Sequence, residues 1–65
     1  MSFWKLRWKI KEKYGTQREF ANVLQVSRLT VNYKLNGKVQ FLHSDILTWC
    51  KLLDISKEEI PEYFF

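Results

Sequence analysis

Cysteine, proline and glycine are scarce in this 65-residue chain, which has one Cys, one Pro and two Gly. A single thiol excludes a disulfide framework. A domain near the lower size limit for independent folding must then be held by packing or by association. Cys50, flanked by Trp49 and Lys51, reads as a small core hydrophobe rather than a nucleophile. With so few breakers, Gly15, Gly37 and Pro61 are the only strong punctuation, and repeats, linkers and low-complexity tracts are missing. Long apolar runs are missing too. Residues 1 to 14 alternate aromatics with Lys and Arg, which argues against a signal peptide or membrane span and for a cytoplasmic location. Alternating strand patterns are poor, and Asn36-Gly37 does not lie between two of them.

The parts of an active site are also lacking. His43 is the only histidine and Cys50 the only strong nucleophile, so neither a triad nor a metal site can be assembled. Glu58, Glu59 and Glu62 crowd one short segment and read as an acidic surface. No enzyme activity, cofactor, metal or small-molecule substrate is expected.

Hydrophobic residues, by contrast, make up 46% of the chain, eleven of them aromatic. That is enough for a compact core and too much for disorder. Net charge is +4, unevenly placed. Residues 1 to 43 hold nine Lys or Arg against two Glu, whereas residues 44 to 65 hold two Lys against five Asp or Glu. A basic front and an acidic back suggest one face for a polyanion and another kept away from it.

The periodicity is helical. Phe3, Leu6, Ile10 and Tyr14 recur at three and four residues, which predicts a helix over 3–14 stopped by Gly15. Thr16 with Glu19 makes a capping box for a helix over 17–24, with Phe20, Ala21, Val23 and Leu24 buried. Ser27 caps a helix over 28–36 with Val31 and Leu35 inward, ended by Gly37. After a loop, Ser44 is the expected cap of a fourth helix whose Ile46, Leu47, Trp49, Cys50 and Leu53 are apolar. Ser56 and Glu59 form a second box, and Pro61 is expected to limit the closing segment to about one helical turn. The expectation is one all-α domain over residues 1–65, a compact bundle of four to five short helices.

Only Gln25 and Val26 separate the second helix from the third and its cap. So tight a connection forces a sharp angle, and the second of two such helices projects where it can enter a major groove. Residues 16–38, Thr-Gln-Arg-Glu-Phe-Ala-Asn-Val-Leu-Gln-Val-Ser-Arg-Leu-Thr-Val-Asn-Tyr-Lys-Leu-Asn-Gly-Lys, resemble the Cro and phage-repressor class of helix-turn-helix proteins. The matching positions are Gln17, Ala21, Val26, Ser27, Val31 and the run Asn36, Gly37, Lys38. The closing Ile-Pro-Glu-Tyr-Phe-Phe is similar to that of small prophage regulators. The chain departs from the pattern at Gln25, where glycine is usual, and at Lys34, where many relatives have an apolar residue and Leu35 takes the inward role.

The resemblance implies a lambda-repressor-like fold and a transcriptional regulator, repressor-like or Cro-like, that occupies a double-stranded DNA operator. It makes Arg28, Leu29, Asn32 and Tyr33 candidate base readers. Their chemistry fits independently, since Arg grips guanine and Asn adenine with two bonds each, and Leu suits a thymine methyl. Thr16, Gln17, Arg18, Asn36 and Lys38 are the candidate phosphate contacts. A homodimer through Tyr63, Phe64 and Phe65 is a further expectation, because contiguous exposed aromatics are unusual on a monomer; the alternative is that they fold back onto the core. The competing functional reading is a helical protein-interaction module such as an antirepressor. A membrane-active first helix, suggested by Lys5, Arg7, Lys9, Lys11 and Lys13 among Trp4 and Trp8, is set aside for a core-wall helix.

Overall fold

In the computed structural model, which describes residues 3–65, the helices follow in the order α1 (Trp4–Tyr14), α2 (Gln17–Leu24), α3 (Arg28–Leu35), α4 (His43–Leu53) and α5 (Ile60–Phe64). One 3₁₀ turn, Lys57–Glu59, precedes α5, and no strand occurs among the described residues. The fold is therefore all-α. No described helix is long and apolar enough to cross a membrane.

Local chemistry accounts for most of the boundaries. Helix α1 starts at Trp4 behind a left-handed Phe3 and stops at Gly15, whose φ of 84° suits a residue without Cβ. Its inward stripe is as expected: Leu6 and Ile10 are buried, and Phe3 and Tyr14 pack partly against the core. At α2, Thr16 Oγ1 accepts the Glu19 N–H at 3.1 Å, the threonine half of the expected box. Phe20 and Ala21 are buried and Leu24 half-buried, but Val23 is 48% exposed. At 100° per residue it lies roughly a third of a turn off the stripe those three define.

Three helices end in the same way. The Val26 N–H donates to Ala21 O and the Gln25 N–H to Asn22 O, both at 3.1 Å. This pairing is the Schellman motif, which satisfies the orphan carbonyls of the last turn. Lys38 to Tyr33 O (2.9 Å) with Gly37 to Lys34 O (3.2 Å) repeats it after α3, and Ile55 to Cys50 O (2.9 Å) repeats its long bond after α4. The left-handed residues at the three ends are Gln25 (φ 63°), Gly37 (φ 75°) and Asp54 (φ 56°). Helix α3 accordingly ends at Leu35, one residue before the expected limit.

Two expectations about the second half need correction. Helix α4 begins at His43, with Leu42 and not Ser44 in the cap position. The Asp45 carboxylate closes the end instead, accepting the Leu42 N–H at 2.9 Å. Leu47 is 54% exposed, because the inward row is Ile46, Trp49, Cys50 and Leu53. The closing segment is the short helix expected, α5 of five residues, with Pro61 in its first turn, where its missing N–H is not needed. The Ser56–Glu59 box is present: both the N–H and the hydroxyl of Ser56 donate to Glu59 Oε1 at 3.0 Å.

The core is built round aromatic rings set edge to face. Phe41, in the loop before α4, meets Phe3, Trp49 and Phe64 at centroid distances of 5.4, 4.8 and 5.1 Å. Trp49 in turn meets Phe20 at 4.8 Å. Leu6, Val31, Leu35 and Leu53 fill the space between at zero exposure. Polar ties close the rim. Tyr14 OH donates to Leu52 O at 2.8 Å, Lys5 pairs with Glu62 at 2.7 Å, and Lys13 pairs with Asp54. Of the three terminal aromatics, Phe64 folds back into the core, Tyr63 is half-buried and Phe65 is 78% exposed.

Leu35 takes the inward place on α3, while Lys34 turns aside to pair with Asp45; their side chains are 12% and 22% exposed, the least exposed ion pair among the described residues. Partial burial pushes the Asp45 carboxyl upward, but the Lys34 ammonium and the Leu42 N–H outweigh it and hold the group below the usual carboxylate range. A depressed carboxylate stabilises above its unfolded value and loses that contribution as pH falls through its folded value. Asp45→Asn should therefore lower stability by about 1–2 kcal/mol at neutral pH, and the gap from the native chain should close below about pH 4. Thermal melts across pH 3–7 would check this; a gap that persists unchanged at the acid end contradicts it.

A second expected outcome concerns Gln25. A non-glycine residue in the left-handed region bears roughly 1–2 kcal/mol of strain, and glycine also loosens the unfolded chain. Gln25→Gly should stabilise the fold by less than that strain and so raise the denaturation midpoint. A lowered midpoint would mean that the Gln25 side chain stabilises the turn.

Candidate nucleic-acid interface

Helices α2 and α3 meet across the connection formed by Gln25, Val26 and Ser27. The small Ala21 lies buried near the crossing, and Val31 and Leu35 supply the inner side of α3. With those two residues fixed inward, the Arg28–Asn32 row lies about a sixth of a turn to one side of them and the Leu29–Tyr33 row nearly opposite. Arg28 is exposed, Asn32 half-buried, Leu29 54% exposed and Tyr33 40% exposed. All four candidate base readers thus reach the surface.

The start of α2 comes to meet the first of these rows. Thr16, Gln17 and Arg18 line an open cleft of about 480 Å³ together with Arg28 and Asn32. Because Thr16 Oγ1 is already the acceptor for Glu19 N–H, its own proton remains available to an outside acceptor. The N–H groups of Gln17 and Arg18 belong to the first turn, where no carbonyl of the helix can serve them. Ser27 caps α3 in the same manner, taking the Thr30 N–H at 3.2 Å, which leaves the Arg28 and Leu29 N–H groups in a first turn as well.

The two remaining phosphate candidates lie at the far end of α3 and behave differently. The Lys38 ammonium stands 5.6 Å from the centroid of the Tyr33 ring, a cation–π contact that couples a cation to a candidate reader. Asn36 is tied down: its Nδ2 donates to Asn32 Oδ1 at 3.0 Å, and Arg7 Nη2 of α1 donates to its Oδ1. Arg7 also reaches Leu35 O at 3.4 Å. Asn36 therefore acts first as a brace between α1 and the end of α3. Asn32 Oδ1 keeps a second lone pair for another partner.

Charge is distributed by face more sharply than along the chain. On α1, Lys5, Lys9 and Lys13 are matched by Glu62, Glu12 and Asp54. Lys11, Arg18, Arg28 and Lys38, and on the later elements Lys51 and Lys57, have no carboxylate within ion-pair distance among the described residues. Sequence reading missed Lys11 and Arg7, which line a smaller hollow beside Thr16 and Gln17. Their four-residue spacing on α1, ending just before Thr16, was the available signal.

Residues 1–65 match the sequence profile of DUF739, described as a protein of unknown function. The chain belongs to the DUF739 family. No curated protein matches it significantly. In this DUF739 chain the cleft residues come from two helices whose relative placement depends on buried Ala21 and Val31, so the candidate site and the core are not separable.

The brace makes a distinction between neighbours. Asn36→Ala removes the contacts to Arg7 and Asn32 and should lower stability by about 1 kcal/mol, whereas Lys38→Ala, an exposed change, should stay within about 0.5 kcal/mol. Chemical denaturation of the two variants checks this; equal losses would show that Asn36 does not brace the helix end.

Proposed function

We propose that this chain is a sequence-specific, double-stranded-DNA-binding transcriptional regulator of the helix-turn-helix kind, Cro-like or repressor-like, with α3 entering the major groove. The observation that carries the reading is the cleft that gathers Thr16, Gln17 and Arg18 with Arg28 and Asn32, on a surface whose cations lack carboxylate partners. Arg28 and Asn32 are the principal base readers, with Leu29 and Tyr33 beside them. Thr16, Gln17 and Arg18 hold the backbone at one end of α3 and Lys38 at the other, so the helix is gripped along its length. Arg28 and Asn32 on α3, with Arg18 and Lys38 beside it, keep charge and hydrogen-bonding groups on this surface along with Leu29 and Tyr33, which favours DNA over a protein-interaction module of the antirepressor kind, whose contact surface would be depleted of charge at its centre.

Electrostatics and dimensions set the rest of the mechanism. Phosphates are attracted by the unpaired cations and release counterions on contact, which brings the protein to DNA of any sequence. Base edges then discriminate, at about 1–3 kcal/mol for each good two-bond pair. The longest extent of the protein is 27 Å, less than the roughly 34 Å of one DNA turn. One copy therefore covers a half-site. Regulation would result from occupancy of the operator, in a phage or prophage setting of the kind the resemblance implies.

Selection of binding sites from random duplexes, followed by salt titration, tests this. An enriched sequence should emerge, and log affinity should fall linearly with log salt at a slope near −0.9 per phosphate contacted. Arg28→Ala should cost about 1–3 kcal/mol on the selected site and relax one base position, while Lys38→Ala should weaken all sequences alike. No enriched sequence, or binding indifferent to salt, would overturn the reading.

A further inference from the structure

The side-chain bonds that tie α1 to the end of α3 have a direction. Arg7 Nη2 on α1 donates to Asn36 Oδ1, Asn36 Nδ2 donates to Asn32 Oδ1 at 3.0 Å, and Asn32 borders the cleft beside Arg28. An arginine has donors and no acceptor, whereas a primary amide offers both. Only the oxygen of Asn36 can therefore meet the guanidinium. With that oxygen turned to Arg7, the NH₂ group of Asn36 is left to face Asn32, and it requires an oxygen there. Arg7 thus fixes, through one intervening side chain, which way round the Asn32 amide stands.

Backbone contacts hold each link in place. The Asn36 N–H donates to Asn32 O at 3.0 Å, which keeps the two residues one turn apart, the spacing at which side chains on a helix meet. Arg7 is half-buried, and its Nη2 also reaches Leu35 O at 3.4 Å, a carbonyl of the last turn that the helix itself does not serve. Reversing the Asn32 amide would set two NH₂ groups against each other and lose the bond. In the orientation that is held, Asn32 Oδ1 has one lone pair taken and a second to offer, beside an Nδ2 donor. An acceptor and a donor side by side match the N6–H and N7 of adenine in the major groove.

We infer that Arg7 and Asn36 are positioning residues for base recognition, holding the Asn32 amide in the orientation that selects adenine. The inference rests on the DNA reading proposed above. It gives Asn36 a role other than the phosphate contact expected from the sequence, and Arg7 a role in specificity that is exerted through Asn32. A reversed amide meets adenine with donor against donor and acceptor against acceptor. The loss then falls on one base position and not on affinity for DNA at large.

Asn36→Asp separates this role from a merely structural one. The carboxylate still accepts from Arg7, so the tie between α1 and α3 persists, but it cannot donate to Asn32 and draws the Nδ2 group instead. The readout is the relative affinity for the four base pairs at each position of the selected site, with Asn32→Ala marking the position that Asn32 reads. The added charge weakens every sequence alike and cancels from these ratios. At the Asn32 position the preference for adenine should fall about fivefold in Asn36→Asp and in Arg7→Met, the worth of roughly one net hydrogen bond, while the position read by Arg28 keeps its preference. If neither variant folds, the free native protein decides. One Nδ2 proton of Asn36 should give the downfield NMR shift of a bonded amide and lose it in Asn32→Ala. Folded variants that keep the native preference at the Asn32 position, or an Asn36 amide indistinguishable from a solvated one, would overturn the assignment and leave the DNA reading standing. Failure to enrich any site would instead remove the DNA reading, and the role in base selection with it, even where the amide signal is found.

Discussion

Every placement in this structure depends on a ladder of edge-to-face aromatic contacts with Phe41 and Trp49 at its centre. A 65-residue chain has few side chains to spend on a core, and each aromatic ring buries as much surface as two smaller residues. Phe41 ties the loop after α3 to α1 through Phe3, to α4 through Trp49 and to α5 through Phe64. Because the loop is anchored, the end of α3 is anchored, and with it the outward side that carries the candidate DNA contacts.

A second constraint works at the surface. The Lys34–Asp45 pair joins α3 to the start of α4 and caps that helix with the same carboxylate. The Arg7–Asn36 contact joins α3 to α1 on another side. Helix α3 is thus held by a salt bridge, a side-chain brace and two apolar residues, while Arg28, Leu29, Asn32 and Tyr33 remain free of the core. A helix fixed on one side and open on the other is what a preorganised reading surface needs, since side chains ordered in advance lose less entropy on contact.

The distribution of charge shows why primary order alone misleads. Counting along the chain makes the whole front half basic. In space, the cations of α1 on the side toward the chain's end are met by Glu62 and Asp54, residues more than forty positions away. Of the cations left unpaired among the described residues, Lys11, Arg18, Arg28 and Lys38 lie on α1, α2, α3 and the turn after α3, while Lys51 and Lys57 lie elsewhere.

Helix positions, the tight α2–α3 connection, and the inward pairs Leu6–Ile10 and Val31–Leu35 were legible from residue types, because caps, breakers and the 3.6-residue period act locally. The exposure of Val23 and Leu47 was not, since hydrophobicity says that a residue can be buried and not that a neighbour is there to bury it. The use of Asp45 in place of Ser44 was hidden for the same reason: the carboxylate is recruited by Lys34, eleven residues earlier. The contact Arg7 makes with Asn36 was hidden likewise, because it joins residues twenty-nine positions apart. Local sequence determined which segments become helices and where they stop. Only tertiary packing decided which polar groups were taken up in holding the helices together and which were left exposed, because that depends on charges and rings brought near one another by the whole chain.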